Sequence, residues 1–181
     1  TGLDLSEGSL AYARKRAEDQ GLSIDYRCMN FLDMDYSDAF DAALQIYGEV
    51  NTFSDEARQK LFGLIHKALK KNGRFIFDVS TRVHRMKYGC KGGWYVSDGG
   101  FFSPRRHLVL EKGFDYPEQS VWLDQYIVAE QQGCKVYRNW FRDFSLEEVA
   151  EVLKQAGFSV KGVWNELTGV PYQEGGEWIA L

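Results

Sequence analysis

The chain has 181 residues, 44% of them hydrophobic and 27% charged, with a net charge of −4 and a pI near 5.4. These values suit one globular domain with a sizeable core. They argue against nucleic-acid binding through a basic face, and no apolar run is long enough to cross a membrane. Three cysteines at unrelated spacings indicate neither a disulfide framework nor a metal site. We expect a cytoplasmic protein.

The chain opens with the pattern of a strand, an acid and a helix. A short apolar run ends at Asp4, and Ser6 stands where the N-cap of a helix over residues 6–20 is expected. In an open parallel sheet, ligands bind at the carboxyl ends of strands, where an acid can bind both hydroxyls of a ribose. The alternative is that Asp4 only shares the capping of this helix with Ser6.

Strands and helices alternate as far as residue 80. The patterns predict strands at 24–28, 40–46 and 74–79, and an amphipathic helix that begins after Ser54. Lys70 and Lys71 are expected in the last turn of that helix, with Gly73 as its stop. This alternation predicts right-handed crossovers and a mostly parallel sheet with helices on both faces.

The pattern changes between residues 80 and 143. Four antiparallel strands are predicted there, and a helix and two strands then restore the earlier alternation; the strands are predicted at 94–96, 107–114, 121–131 and 136–144, the helix at 146–156, and the final strands at 158–164 and 177–181. We therefore predict an α/β core of residues 1–80 and 144–181. Residues 81–143 form an inserted, aromatic-rich antiparallel β cap.

Three stretches carry a family resemblance: TGLDLSEGSLAYARKRA, FDAALQIYGEVNTFSDEARQKLFGLIHKALKKNGRFIFDVSTR and FSLEEVAEVLKQAGFSV. In this order and spacing they resemble the class I S-adenosylmethionine-dependent methyltransferases, in particular the small-molecule branch with a β-rich insertion after strand five. The resemblance implies a Rossmann-like, doubly wound sheet of order 3-2-1-4-5-7-6 with strand seven antiparallel. It also implies methyl transfer from S-adenosylmethionine to a small-molecule acceptor, with S-adenosylhomocysteine as the product.

The resemblance assigns cofactor contacts near two strand ends. Asp4 matches the acid that binds the ribose hydroxyls, and Leu5 matches the apolar residue that packs on the adenine. Asn30 occupies the place of an Asp that accepts from the adenine amino group, and Phe31 supplies the neighbouring backbone N–H. The Asn30 carbonyl can still accept that bond. Asp33 is the fallback, with a solvated loop acid as its simpler interpretation.

The end of the third predicted strand supplies the remaining site residues. Ile46 and Tyr47 match positions beside the sulfonium. Glu49 and Asn51 lie in the same loop and could face the substrate, although a structural role in the loop is the simpler interpretation. No catalytic residue is assigned, because a nucleophilic acceptor needs no strong general base when the enzyme aligns it with the donor.

The family's first strand and glycine-rich turn have no counterpart here. We expect them to precede residue 1, in a slot between residues 2–5 and 41–46, or a strand of another copy to fill that slot. Direct hydrogen bonding between those two segments would contradict this expectation.

Several alternatives stay open. An acid after a strand also suits a nicotinamide-dependent dehydrogenase, and a methyltransferase-like scaffold could bind a partner protein through the insertion. His66 is expected to be structural, whereas His84 and His107 are weak candidates for substrate contact or acid–base work. The insertion's rings could line an acceptor pocket or stack on a cationic amine, although packing within the inserted sheet is the simpler role. A homodimer is one possible oligomeric state.

Overall fold

The computed structural model describes all residues from 1 to 181. Its first part alternates strands and helices, with two short 3-10 helices between them. In chain order the elements are β1 (Gly2–Asp4), α1 (Glu7–Asp19), β2 (Tyr26–Cys28), a 3-10 helix (Phe31–Asp33), β3 (Phe40–Gln45), a 3-10 helix (Glu49–Thr52), α2 (Asp55–Ala68) and β4 (Leu69–Ser80). This order agrees with the predicted α/β pattern.

The second part begins with a short helix that the sequence did not predict and continues with one short and three long strands. Its elements are α3 (Arg82–Tyr88), β5 (Gly93–Ser97), β6 (His107–Tyr116), a 3-10 helix (Pro117–Gln119), β7 (Val121–Glu130), β8 (Gly133–Arg142), α4 (Leu146–Gln155) and β9 (Trp178–Ala180). No helix has both the length and the apolar character needed to cross a bilayer.

The strands form three hydrogen-bonded sheets. β1 pairs with β2 in parallel, and β3 pairs with β4 in parallel. β9 pairs antiparallel with the other edge of β4, so the second sheet has the order β3-β4-β9. β5, β6, β7 and β8 form an antiparallel sheet in sequence order. β1 and β3 share no ladder, so the direct pairing that would contradict the expected slot is absent.

The largest core cluster lies where α2 and α4 pack against β4. It contains 13 buried residues, including Phe62 on α2, Phe77 and Val79 on β4, and Val149 and Leu153 on α4. Phe62 and Phe77 are 0% and 1% exposed. Burying a large apolar side chain contributes about 1.5–3 kcal/mol, so this cluster fixes the two helices on the sheet.

Serine caps explain where three helices begin. Ser6, Ser54 and Ser145 each accept a hydrogen bond through the hydroxyl from the backbone N–H three residues later. At α4 the Glu148 carboxylate also accepts from the Ser145 N–H, which completes a capping box. Each such cap contributes about 1 kcal/mol. The sequence therefore located these starts correctly.

Two predictions about the elements were wrong: the position at which α2 ends, and the presence of a strand over residues 158–164. α2 ends at Ala68, and Leu69 is already extended and pairs with Phe40, so Lys70 and Lys71 lie in β4 rather than in the helix. The left-handed Asn72 (φ 66°) falls within a register shift of that ladder. The strand predicted at 158–164 is also absent. Only Trp164 makes isolated bridges, to Pro171 and Ala180.

Candidate functional site

Asp4 ends β1 and touches the first turn of α1. Its Oδ1 accepts a 2.7 Å hydrogen bond from the Ser6 N–H, and the Ser6 hydroxyl accepts one from the Ser9 N–H. Asp4 therefore shares the capping work, as the simpler alternative expects. Its Oδ2 takes part in no hydrogen bond, and the neighbouring Leu5 is 66% exposed. One carboxylate oxygen and an apolar surface thus stay open to a ligand.

Asn30 and Phe31 lie beside Asp4 because β1 and β2 are paired. The Met29 N–H extends the pairing with a 3.0 Å hydrogen bond to the Asp4 carbonyl. The Asn30 Oδ1 accepts from the Leu32 N–H at 3.0 Å and caps the first 3-10 helix. The Phe31 N–H is the first in that helix, where no intrahelical acceptor exists. Asp4, Asn30 and Phe31, three of the residues predicted to contact the cofactor, are therefore adjacent.

The turn after β3 is left-handed at two successive residues and strained at the first of them. Tyr47 and Gly48 have φ values of 72° and 67°, and a left-handed tyrosine is uncommon. The Gly48 N–H donates a 2.8 Å hydrogen bond to Asp78 Oδ1 at the end of β4, which fixes the turn to the neighbouring strand. Tyr47 is 87% exposed and Ile46 57%. Backbone strain of this kind clusters at functional sites.

Four aromatic rings lie next to one another, and the first of them belongs to Tyr47 in this turn. They are here called the aromatic row: Tyr47, Trp178, His84 and Tyr88. Successive ring centroids are 6.3, 4.6 and 4.8 Å apart. Because β9 is antiparallel to β4, its first residue, Trp178, lies at the carboxyl edge of β4, opposite Ser80. Ligands bind at this edge in open α/β sheets. Sequence reasoning identified His84 only as a weak candidate and missed Trp178.

Glu177 lies beside the aromatic row. Its carboxylate accepts a 2.5 Å hydrogen bond from Lys87 Nζ and lies 3.7 Å from His84 Nδ1. The Lys87 hydrogen bond lowers the pKa of Glu177. Burial, assisted by the nearby Arg85, lowers the pKa of His84 against the opposing effect of Glu177. At neutral pH the row therefore contains an uncharged imidazole next to a carboxylate.

Asn51 is a structural hub, as the simpler interpretation of the loop expected. It is 1% exposed, and its Nδ2 donates to the carbonyls of Ser80 and Arg142 at 3.0 and 2.6 Å. Its Oδ1 accepts from the Ser80 N–H at 2.9 Å. One side chain thus joins the loop after β3 to the ends of β4 and β8. Glu49, in the same loop, is exposed.

A buried charge cluster lies where α3 meets the end of β8. Asp143 is 1% exposed, with Arg85 Nε at 3.5 Å and Arg82 Nη1 at 3.7 Å. Arg82 also pairs with Asp115. Burial raises the pKa of Asp143 to about 6, and the two arginines oppose this rise. An adjoining cavity of about 300 Å³ is lined by Arg82, Asp143 and the first turn of α4.

The remaining candidates from the sequence lie apart from these groups. His66 packs edge-on against Phe158, and the His107 ring is 4% exposed with Nδ1 2.7 Å from the Arg105 carbonyl. Both environments are structural. Asp33 is exposed and lies 4.0 Å from Lys60 Nζ, as expected for a solvated loop acid.

One face of the antiparallel sheet carries several exposed apolar side chains. The strand pairing puts Trp94 and Leu110 on this face with Val136 and Trp140, and these four residues are 71%, 41%, 49% and 47% exposed. Arg142 lies on the same face of β8 as Trp140 because side chains alternate along a strand. Arg142 Nη1 lies 3.6 Å from Asp55 Oδ2 at the start of α2. The Arg142 end of this face therefore lies beside the start of α2.

Comparisons with known proteins find similarity to methyltransferases. Residues 1–73 match the methyltransferase domain family. A protein of Geobacillus sp. (strain WCH70), provisionally named a methyltransferase, is 32% identical over 99 residues, which are 54% of this chain and 40% of that protein. The chain thus spans less than half the length of this curated relative.

Solved structures extend the likeness to nearly the whole chain. An S-adenosylmethionine-dependent methyltransferase from Clostridium acetobutylicum superposes with a TM-score of 0.70 at 18% identity, covering 98% of this chain and 71% of that one. The sugar N-methyltransferase KedS8 from Streptoalloteichus gives 0.60 at 15% identity, covering 99% and 68%. The family match over residues 1–73, the Geobacillus relative and these structures together support the predicted resemblance to the class I S-adenosylmethionine-dependent methyltransferases.

Proposed function

We propose that the protein transfers a methyl group from S-adenosylmethionine to a small-molecule acceptor. The observation that carries this proposal is the adjacency of Asp4, with one free carboxylate oxygen, to Asn30 and the free Phe31 N–H. A carboxylate suits the paired hydroxyls of a ribose, while an acceptor and a donor side by side suit the edge of an adenine.

Each group has a defined role in this proposal. Asp4 Oδ2 accepts from a ribose hydroxyl, and Leu5 covers one face of the adenine. The Asn30 carbonyl already accepts from the Leu32 N–H and has a second lone pair for the adenine amino group. Ile46 and Tyr47, exposed at the end of β3, border the reacting end of the cofactor. In this proposal the present hydrogen bonds of Asp4 and Asn30 are kept when the adenosine group binds.

The reaction requires alignment more than acid–base catalysis. S-adenosylmethionine would supply a methyl group while its sulfur keeps the electron pair of the broken bond, so the acceptor atom provides the pair for the new bond. The residues of this chain hold the acceptor in line and exclude water, effects that supply much of the rate in such reactions. The turn at Tyr47 and Gly48 is suited to this task because Asp78 fixes it.

Residues 81–143 cover the acceptor site as a cap in this proposal. Two observations support it. Asn51 connects the loop after β3 to the end of β8, and Arg142, on the same face of β8 as Trp140, lies beside Asp55 at the start of α2. We expect Trp140→Ser to raise the KM for the acceptor while the affinity for S-adenosylhomocysteine stays constant. Trp94→Ser, on the far strand of the same sheet, is the matched control.

A small-molecule acceptor has support from one relative. KedS8 is named a sugar N-methyltransferase, and this chain superposes on 68% of it. The acidic pI of 5.4 also disfavours a nucleic-acid substrate.

Calorimetric titration of the complete gene product tests the proposal. We expect S-adenosylhomocysteine to bind at one site per chain and NAD not to bind. NAD binding without S-adenosylhomocysteine binding would identify a dehydrogenase instead. Binding of neither compound would favour a non-enzymatic scaffold that uses the insertion to bind a partner protein.

A further inference from the structure

The aromatic row presents ring faces at the carboxyl edge of the second sheet, beyond the residues that the adenosine group would use. Tyr47 is 87% exposed, and its ring lies 28° from the plane of Trp178 at 6.3 Å. His84 and Tyr88 continue the row. Gly48 permits this packing, since a Cβ there would lie 2.9 Å from the Trp178 ring. The faces of aromatic rings carry partial negative charge and attract cations within about 6 Å.

The charged groups around the aromatic row, like the ring faces, favour a cationic ligand. Three carboxylates lie in or beside it: Glu49 follows the Tyr47–Gly48 turn, Asp78 accepts from Gly48, and Glu177 borders His84. Lys87 is the one ammonium there, and Glu177 already pairs with it. A site with excess negative charge concentrates cationic ligands.

The neighbouring arginines do not cancel this preference for cationic ligands. Arg82 pairs with Asp115 and Asp143, and Arg85 lies over the Phe141 ring at 3.9 Å beside Asp143. Both guanidinium groups are therefore compensated by partners of their own. The His84 imidazole adds no positive charge at neutral pH because burial lowers its pKa.

We propose that the methyl acceptor is an amine that binds as its ammonium form on the aromatic row, against Tyr47 and Trp178, with the acidic edge attracting its charge. This inference rests on the proposed methyl transfer and names the acceptor class for the same site. The ammonium first releases one proton to solvent at the open Tyr47 side. The nitrogen lone pair then forms the N–C bond, and the S–C bond breaks with its electron pair left on sulfur. The methylated product is the new ammonium ion.

A binding experiment tests the acceptor class without relying on turnover. Calorimetry on the complete gene product saturated with S-adenosylhomocysteine compares benzylamine with benzyl alcohol and benzoate, which share its ring. We expect benzylamine to bind most tightly and benzoate not to bind. Equal binding of the alcohol, or preferred binding of benzoate, would overturn the inference.

Substitutions at Tyr47 test the role of the ring. Tyr47→Leu should weaken benzylamine binding roughly 2- to 5-fold, the range for a cation over a ring at an exposed site, whereas Tyr47→Phe should retain it. The high exposure of Tyr47 makes misfolding of either variant improbable on packing grounds. Unchanged affinity in Tyr47→Leu would contradict a ring–cation contact.

Two substitutions at the ion pair should act in opposite directions. Lys87→Met keeps the aliphatic stem, removes the competing ammonium and should tighten benzylamine binding. Glu177→Gln removes a carboxylate and leaves Lys87 unpaired, and should weaken it. If both substitutions changed the benzylamine affinity in the same direction, or if neither changed it, the proposed attraction between the acidic edge and the ammonium would be overturned. If S-adenosylhomocysteine does not bind, the proposed function fails, and benzylamine titration without it still tests the row.

Discussion

Asp4→Asn tests the cofactor site with little disturbance of the fold. The asparagine keeps an Oδ1 that can accept from the Ser6 N–H, so the contact at the start of α1 is retained. What is lost is the charge on the second oxygen, which is free in the structure. Hydrogen bonds to charged groups contribute about 1.5–3 kcal/mol, so affinity for S-adenosylhomocysteine should fall roughly 10- to 150-fold.

The assay is calorimetric titration of the complete gene product, with thermal unfolding of the ligand-free variant as a check on the fold. Asp19→Asn, an exposed carboxylate at the end of the same helix, is the matched control and should leave affinity unchanged. An unchanged dissociation constant in Asp4→Asn, together with an unchanged melting temperature, would show that Asp4 acts only as a cap and would refute the assignment.

Three further substitutions test the structural account through urea unfolding. Asn51→Leu should lower the free energy of unfolding by about 2–4 kcal/mol, since it leaves buried groups such as the Ser80 N–H unpaired; a loss below about 1 kcal/mol would contradict the hub. Gly48→Ala should cost at least about 1 kcal/mol, because its φ of 67° disfavours alanine and the new Cβ meets Trp178; an unchanged midpoint would refute this. Because the folded pKa of Asp143, about 6, lies above its ordinary value of 3.8, its contribution is present at low pH and lost as pH rises from about 4 to 6. Asp143→Asn should remove this pH dependence, and an unaltered profile between pH 4 and 7 would contradict it.

The predictable parts of this protein are those governed by local interactions. Ser6, Ser54 and Ser145 mark helix starts because capping involves residues only three positions apart. The long strands of the antiparallel sheet were also recognisable from their apolar and aromatic patterns. Helix α3 was missed, since its seven residues are too few to show a clear period.

The aromatic row could not be predicted because Tyr47, the His84–Tyr88 pair and Trp178 lie far apart from one another in the chain. Tyr47 and Trp178 meet only because β9 returns antiparallel along β4 and brings its first residue to the carboxyl edge. The position of Lys70 was wrong for a related reason. The pairing of Leu69 with Phe40 overrides a helical pattern that would otherwise continue.

A crystal structure of the complete gene product with S-adenosylhomocysteine would test the central claim most directly. We predict that the ribose hydroxyls lie against the Asp4 carboxylate, that the adenine edge meets the Asn30 side chain and the Phe31 N–H, and that the sulfur lies on the Tyr47 side. Density for the ligand at any other place on the protein, with these three groups unoccupied, would contradict the assignment of the site.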